Sequence, residues 1–292
     1  MIYLGNFKGG NSTQLVEAYA EGDKLYPRRN RKELGAQIPQ VLQRFARNDT
    51  YARATLPEIL GPDRFNAARR FAATELQSGV FLSQPDGTYR FSALPRIAQI
   101  APLQGMVAGD FDGDGHADLY VVQNSFAPNP GIGRFDGGLS QLLLGDGQGH
   151  FFPVEPAHSG LVVPGDAKAL VTLDLDGDGW ADFLVSRNNS TTLAWHNGGV
   201  PGRHSFRVAL QGRAGNPTAI GATVRVELAD GTSQLEEMQA GGGYYSQSAA
   251  GLFFGWPEGN PPRRLTIRWP DGTTTTQELS GPPQATIFIA AP

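Results

Sequence analysis

The sequence predicts a mainly β chain: a partial β-propeller of about three blades with a helical insertion in the first, followed by an antiparallel β-sandwich-like domain. Three observations carry this. An Asp-rich segment recurs between stretches of strand-forming residues, Gly-rich hairpin signals trail it, and from about Arg203 the pattern changes to longer strands without Asp loops. With 292 residues, 38 Gly and 21 Pro, the chain is longer and richer in turn formers than one helical domain would be, and two domains are expected, 1–202 and 203–292.

The repeat is clearest when Gly109-Asp110-Phe111-Asp112-Gly113-Asp114-Gly115-His116-Ala117-Asp118-Leu119 is set beside Leu173-Asp174-Leu175-Asp176-Gly177-Asp178-Gly179-Trp180-Ala181-Asp182-Phe183. Apolar residues precede both copies (Met106, Val107; Leu170, Val171), and Leu119 to Val122 or Phe183 to Val185 follow, so each copy joins two strands. Trailing hairpins are expected at Leu142 to Phe152 and Val80 to Phe91, with a truncated one at Leu193 to Gly199. Loop hairpin plus trailing hairpin makes about four strands, the size of a propeller blade. Gly5 to Val16 fits the same frame for the first blade, with Asn6, Lys8, Gly10 and Gln14 in place of the carboxylates. Two readings stand for it: a decayed site with the Lys8 ammonium where an ion would sit, or a polar turn in coincidental register.

Residues 30 to about 74 read as a helical insertion. Asn30 and Glu33 form a capping box; Leu34, Ile38, Val41, Leu42 and Phe45 recur at helical spacing; Pro39 breaks or restarts the helix. Thr55-Leu56-Pro57-Glu58 opens a second helix, and a third after Pro62-Asp63 is expected to turn Phe65, Ala68 and Phe71 or Ala72 inward. Beyond Arg203, strands are expected at 206–210, 222–228, 233–239, 265–269, 273–279 and 286–289, with hairpin turns at Asp230-Gly231 and Asp271-Gly272.

Calcium takes about six to eight oxygens, and alternate side chains of a tight loop converge on one point. Asp110, Asp112 and Asp114 stand at positions 1, 3 and 5, Gly115 permits the turn at 6, His116 offers its backbone carbonyl at 7, and Asp118 closes at 9. Asp174, Asp176, Asp178, Gly179, the Trp180 carbonyl and Asp182 repeat the set, giving two expected Ca2+ sites. Val121 and Val185 stand where an EF-hand needs its Glu, and strands flank the loops, which excludes that motif. Crowded carboxylates repel one another unless a cation joins them, so a structural role for the ions is expected.

Other chemistries find little support. Net charge is −4 without long like-charge runs, so no nucleic-acid footprint is visible. The chain has no Cys, which removes disulfides and thiolate chemistry. No apolar stretch reaches the roughly 18–20 residues of a membrane span, and an export signal, if the protein is secreted, lies outside this sequence. His116, His150, His158, His196 and His204 form no HExxH pair, no Gly-x-Ser-x-Gly elbow occurs, and Gly131-Ile132-Gly133 reads as turn chemistry, so no enzyme is expected. Tyr244, Tyr245, Trp256 and Trp269 suit either packing or an aromatic glycan platform, and Asn11, Asn48, Asn188 and Asn189 begin N-glycosylation sequons.

The Asp loops with their flanking strands resemble FG-GAP or VCBS-type repeats. Asn216 to Val226, Gly241 to Ser248 and Leu265 to Gly272 look like an ASPIC/UnbV domain, and together the segments resemble the cartilage acidic protein family and its bacterial-type relatives. Pro217 stands where that family usually has Arg, and Leu252 to Trp256 lacks the usual His before Phe254-Gly255. The resemblance implies an extracellular or cell-surface calcium-binding interaction or adhesion protein, with a protein or glycan partner and no catalytic residues to carry over. A propeller closes with about four to eight blades, more than this chain supplies. A longer parent chain, or exposed blade edges that assemble protomers into a calcium-stabilised filament, would account for the deficit.

Overall fold

The computed structural model describes residues 1–128 and 133–292. It divides into two compact units, Met1–Leu76 and Gln77–Pro292. Gly131 and Ile132 of the Gly131-Ile132-Gly133 turn lie outside the described residues.

In the first unit, β1 (Ile2–Gly5), β2 (Gln14–Glu21), β3 (Lys24–Pro27) and β4 (Arg69–Phe71) form one sheet in the order β3-β2-β1-β4. Between β3 and β4 run α1 (Arg31–Gln37), α2 (Gln40–Arg44), α3 (Asn48–Arg53), α4 (Leu56–Leu60) and α5 (Pro62–Asn66), the expected helical insertion. Pro39 separates α1 from α2 as its missing N–H requires. The insertion folds onto the sheet: Leu34, Ile38, Val41 and Leu56 share one core with Tyr3, Phe7 and Val16. The expected third helix is shorter than its pattern, because β4 begins at Arg69 and pairs with β1, which leaves Phe71 exposed under the Arg69 guanidinium.

The capping box is present in both directions, with Glu33 N donating to Asn30 Oδ1 at 3.0 Å and Asn30 N to the Glu33 carboxylate at 3.3 Å. Asn30→Ala is expected to cost about 1 kcal/mol of this unit's stability, read as an earlier denaturation midpoint by circular dichroism.

The second unit opens with β5 (Gly79–Ser83) and β6 (Tyr89–Ala93), a hairpin expected to complete the first blade but forming a two-stranded sheet of its own among the described residues. A four-stranded blade follows, β7 (Leu103–Gly109), β8 (Asp118–Gln123), β9 (Gln141–Gly145) and β10 (Phe151–Val154), and then a three-stranded one, β11 (Ala167–Leu173), β12 (Asp182–Arg187) and β13 (Leu193–Trp195). Each is a simple antiparallel meander. Their facing sides share Phe111, Tyr120, Leu170, Phe183 and Val185. The repeats are propeller-like, and no closed propeller forms among the described residues.

The remaining strands are β14 (Arg203–Gln211), β15 (Thr223–Leu228), β16 (Ser233–Glu237), β17 (Leu252–Pro257), β18 (Pro262–Arg268), β19 (Thr274–Glu278) and β20 (Thr286–Ala290). They form two sheets, β17-β14-β20 and β16-β15-β18-β19, around Phe206, Val224, Phe254, Leu265, Ile267 and Trp269. The sandwich differs from the expected all-antiparallel one in that β20 runs parallel to β14, a pairing across distant segments that hairpin signals cannot encode. Trp256 and Trp269 are in this core, whereas Tyr244 and Tyr245 are exposed, so the four do not make a shared platform.

Candidate metal centre

Each Asp loop is closed by its hairpin in the same register: Gly109 faces Asp118 and Leu173 faces Asp182. Gly5 faces Gln14 in the same way, so the third copy keeps the turn without the carboxylates. The position 9 side chain ties the loop start. Asp118 Oδ2 accepts from Phe111 N at 2.9 Å, Asp182 Oδ2 from Leu175 N at 2.6 Å, and Gln14 Oε1 from Phe7 N at 2.8 Å. The other oxygen of each aspartate reaches the next strand or the loop after it, accepting from Gly145 N or Asn197 N.

Position 1 caps the turn in all copies: Gly113 N donates to Asp110 Oδ1, Gly177 N to Asp174 Oδ1, and Gly9 N to Asn6 Oδ1. At positions 3 and 5 one oxygen accepts from the amide two residues on, Asp112 from Asp114, Asp114 from His116, Asp176 from Asp178 and Asp178 from Trp180. These short Asx turns leave the second oxygen of each side chain outside the turn. Gly115 and Gly179, at φ of 92° and 87°, supply the left-handed backbone at position 6.

Ligand atoms of Asp110, Asp112 and Asp118 lie within 4.8 Å of one another, as do those of Asp174, Asp176 and Asp182 and those of Asp176, Asp178 and His196. Burial pushes the Asp110 and Asp118 carboxyls up to about 7, and burial together with the Asp114 charge raises Asp112. Burial likewise raises Asp178. Such groups ionise readily only beside positive charge. Asp174 Oδ2 is buried without a hydrogen-bond partner, an oxygen for which a cation is the fitting complement. The all-oxygen donor set of the second loop therefore fits a hard divalent ion.

Side chains the sequence reading did not assign complete both loops. Arg203 Nη1 pairs with Asp112 Oδ2, lies 3.8 Å from Asp114 Oδ2 and donates to the Asp112 carbonyl. His196 Nε2 stands 2.8 Å from Asp176 Oδ2 and 3.6 Å from Asp178 Oδ2. Trp180, chosen for its carbonyl, also carries its ring to the first loop, where a Cβ on Gly113 would stand 2.9 Å from it. His116 is exposed, with its amide on Asp114. In the third copy Lys8 is exposed and its ammonium makes no ion pair among the described residues; Gln14 and Asn6 hold the turn instead, and the Lys8 substitute for an ion is not observed.

The sandwich touches both loops. Ser205 Oγ donates to the Gly179 carbonyl at 2.9 Å, a Cβ on Gly255 would collide with Asp110 Oδ2, and Gln234 Nε2 donates to Gly255 O at 2.6 Å. Phe253 of β17 joins the core between the blades. These contacts come from residues far along the chain, so no local pattern announces them.

Comparison with known families finds two matching segments. Residues 71–121, which include the first Asp loop, match the model for an FG-GAP-like repeat, and residues 212–289 match the model for ASPIC and UnbV. The chain is thus similar to proteins in which FG-GAP-like repeats precede a C-terminal ASPIC/UnbV domain. No curated protein matches it.

Proposed function

We propose that the chain is a non-catalytic, extracellular calcium-binding interaction protein whose Asp loops brace the blades against the C-terminal sandwich. The observation that carries this reading is the buried, unpartnered Asp174 Oδ2, set beside the carboxylates of Asp176 and Asp182. A calcium ion there neutralises the crowded carboxylates, and holds a composite β surface in one shape for a protein or glycan partner. Extracellular calcium modules have dissociation constants of roughly 0.1–1 mM. At one to ten times that concentration, an occupied site stabilises the fold by about 0.4–1.4 kcal/mol.

Calcium is therefore expected to raise the melting temperature by about 1–5 °C over the chelated protein, and Asp176→Ala to remove that rise. Equal melting curves with calcium and with chelator would refute the proposal.

A further inference from the structure

Resting on that calcium reading, we infer that the two Asp loops are not equivalent: Arg203 of the sandwich is the resident cation of the first loop, and the divalent ion goes to the second alone. The free oxygens at positions 3 and 5 of the first loop both face the guanidinium, which also donates to the loop backbone at 3.2 Å. Position 1 is held by three backbone amides. Asp110 Oδ1 accepts from Gly113 N and Asp114 N, and Oδ2 from Gly115 N at 2.7 Å, with the Gly255 backbone packed against it. A carboxylate oxygen has about two lone-pair sites, so Asp110 Oδ1 has none to spare.

The second loop differs at position 1 and in the side chain that faces positions 3 and 5. Asp174 Oδ1 accepts from Gly177 N, while Oδ2 is buried and unpartnered. Its neighbouring cationic group is His196, whose side chain is 49% exposed against 31% for Arg203. Guanidinium presents several donors in a fixed fork, whereas the imidazole meets the second loop through one ring nitrogen. Arg203 is also held at its root: β14 pairs it with Pro257, its amide donates to the Val200 carbonyl, and its Cβ abuts Gly113. The first loop is thereby an ion-pair lock between blade and sandwich, and the second is the metal site.

Calcium titration of the full chain by isothermal calorimetry tests this. One equivalent is expected for the parent protein, abolished by Asp176→Ala and retained by Asp112→Ala. Arg203→Gln is expected to open the first loop and bring a second equivalent, lost again when Asp112→Ala is added. Two equivalents in the parent protein, or one that follows Asp112 instead of Asp176, would overturn the assignment while leaving calcium binding intact. A folded Arg203→Gln protein with still one equivalent would overturn it as well. No binding at all would remove both this inference and the calcium reading. The parent protein and the two aspartate variants decide the matter even if Arg203→Gln fails to fold.

Discussion

Gly255→Ala is expected to destabilise the unit 77–292 by roughly 3 kcal/mol, far more than one methyl group ordinarily does. The added Cβ would collide with Asp110 Oδ2 and stand 2.6 Å from the Gly113 Cα. Neither neighbour can give way, since Asp110 is fixed by three backbone amides and Gly113 lies under the Trp180 ring and the Arg203 Cβ. β17 must then lift from the first loop, and Phe253, two residues earlier on the same face, is drawn from the core between the blades. Gly198→Ala serves as the comparison, because no atom lies within 4 Å of its added Cβ and its backbone is outside the left-handed region. Urea denaturation of both variants measures the difference, and a Gly255→Ala midpoint equal to that of Gly198→Ala would show that the close approach is relaxed in solution.

Glu236→Gln is expected to act in the opposite direction, with a pH signature. Glu236 sits on the inner face of β16, beside a cavity of about 210 Å³ that Met106, Leu170, Met238 and Phe253 help to line. It has no hydrogen bond or ion pair among the described residues, and burial pushes its carboxyl up from 4.5 to about 7. The folded state therefore holds this proton more tightly than the unfolded state. The favourable contribution is complete below pH 4.5 and declines as pH rises to about 7, where it is lost. That loss amounts to about 3 kcal/mol. Glu236→Gln should raise stability by up to that amount at pH 8 and by little at pH 4. A stabilisation independent of pH would argue for a packing effect instead.

The parts of the fold written in local spacing were legible. The Asp–x–Asp–x–Asp–Gly order announces a turn whose side chains bond their own backbone, and the residues on either side alternate or branch as strands do. Asn30 with Glu33, Pro39, and Thr55 with Glu58 mark helix boundaries by side-chain chemistry that needs no tertiary context, and each lies at such a boundary. β17 was missed for a physical reason. Leu252 to Trp256 is buried on both faces, between the sandwich core and the blades, so it shows no alternation. α3 escaped because Asn48 to Arg53 buries only Tyr51 and has no helical stripe.

The candidate site divides in the same manner. Its carboxylates stand in one short window, whereas Arg203, His196, Ser205 and Gly255 reach it from outside either loop. Charge alone does not point to Arg203 among 24 Lys and Arg residues. Only the pairing of β14 with β17 and β20 turns it toward Asp112.

The loop from Asn6 to Gln14 is a control experiment already present in the molecule. It repeats the closing register and the side-chain-to-amide bonds at its first and last positions with neutral amides, which separates two properties that the Asp loops combine. Shape comes from oxygen acceptors and left-handed glycines; charge is an addition laid over a turn that already closes. Transplanting Asn6 and Gln14 chemistry onto Asp174 and Asp182 would thus preserve the bend while erasing the electrostatic demand, and the reverse exchange would create that demand where the backbone is already prepared for it.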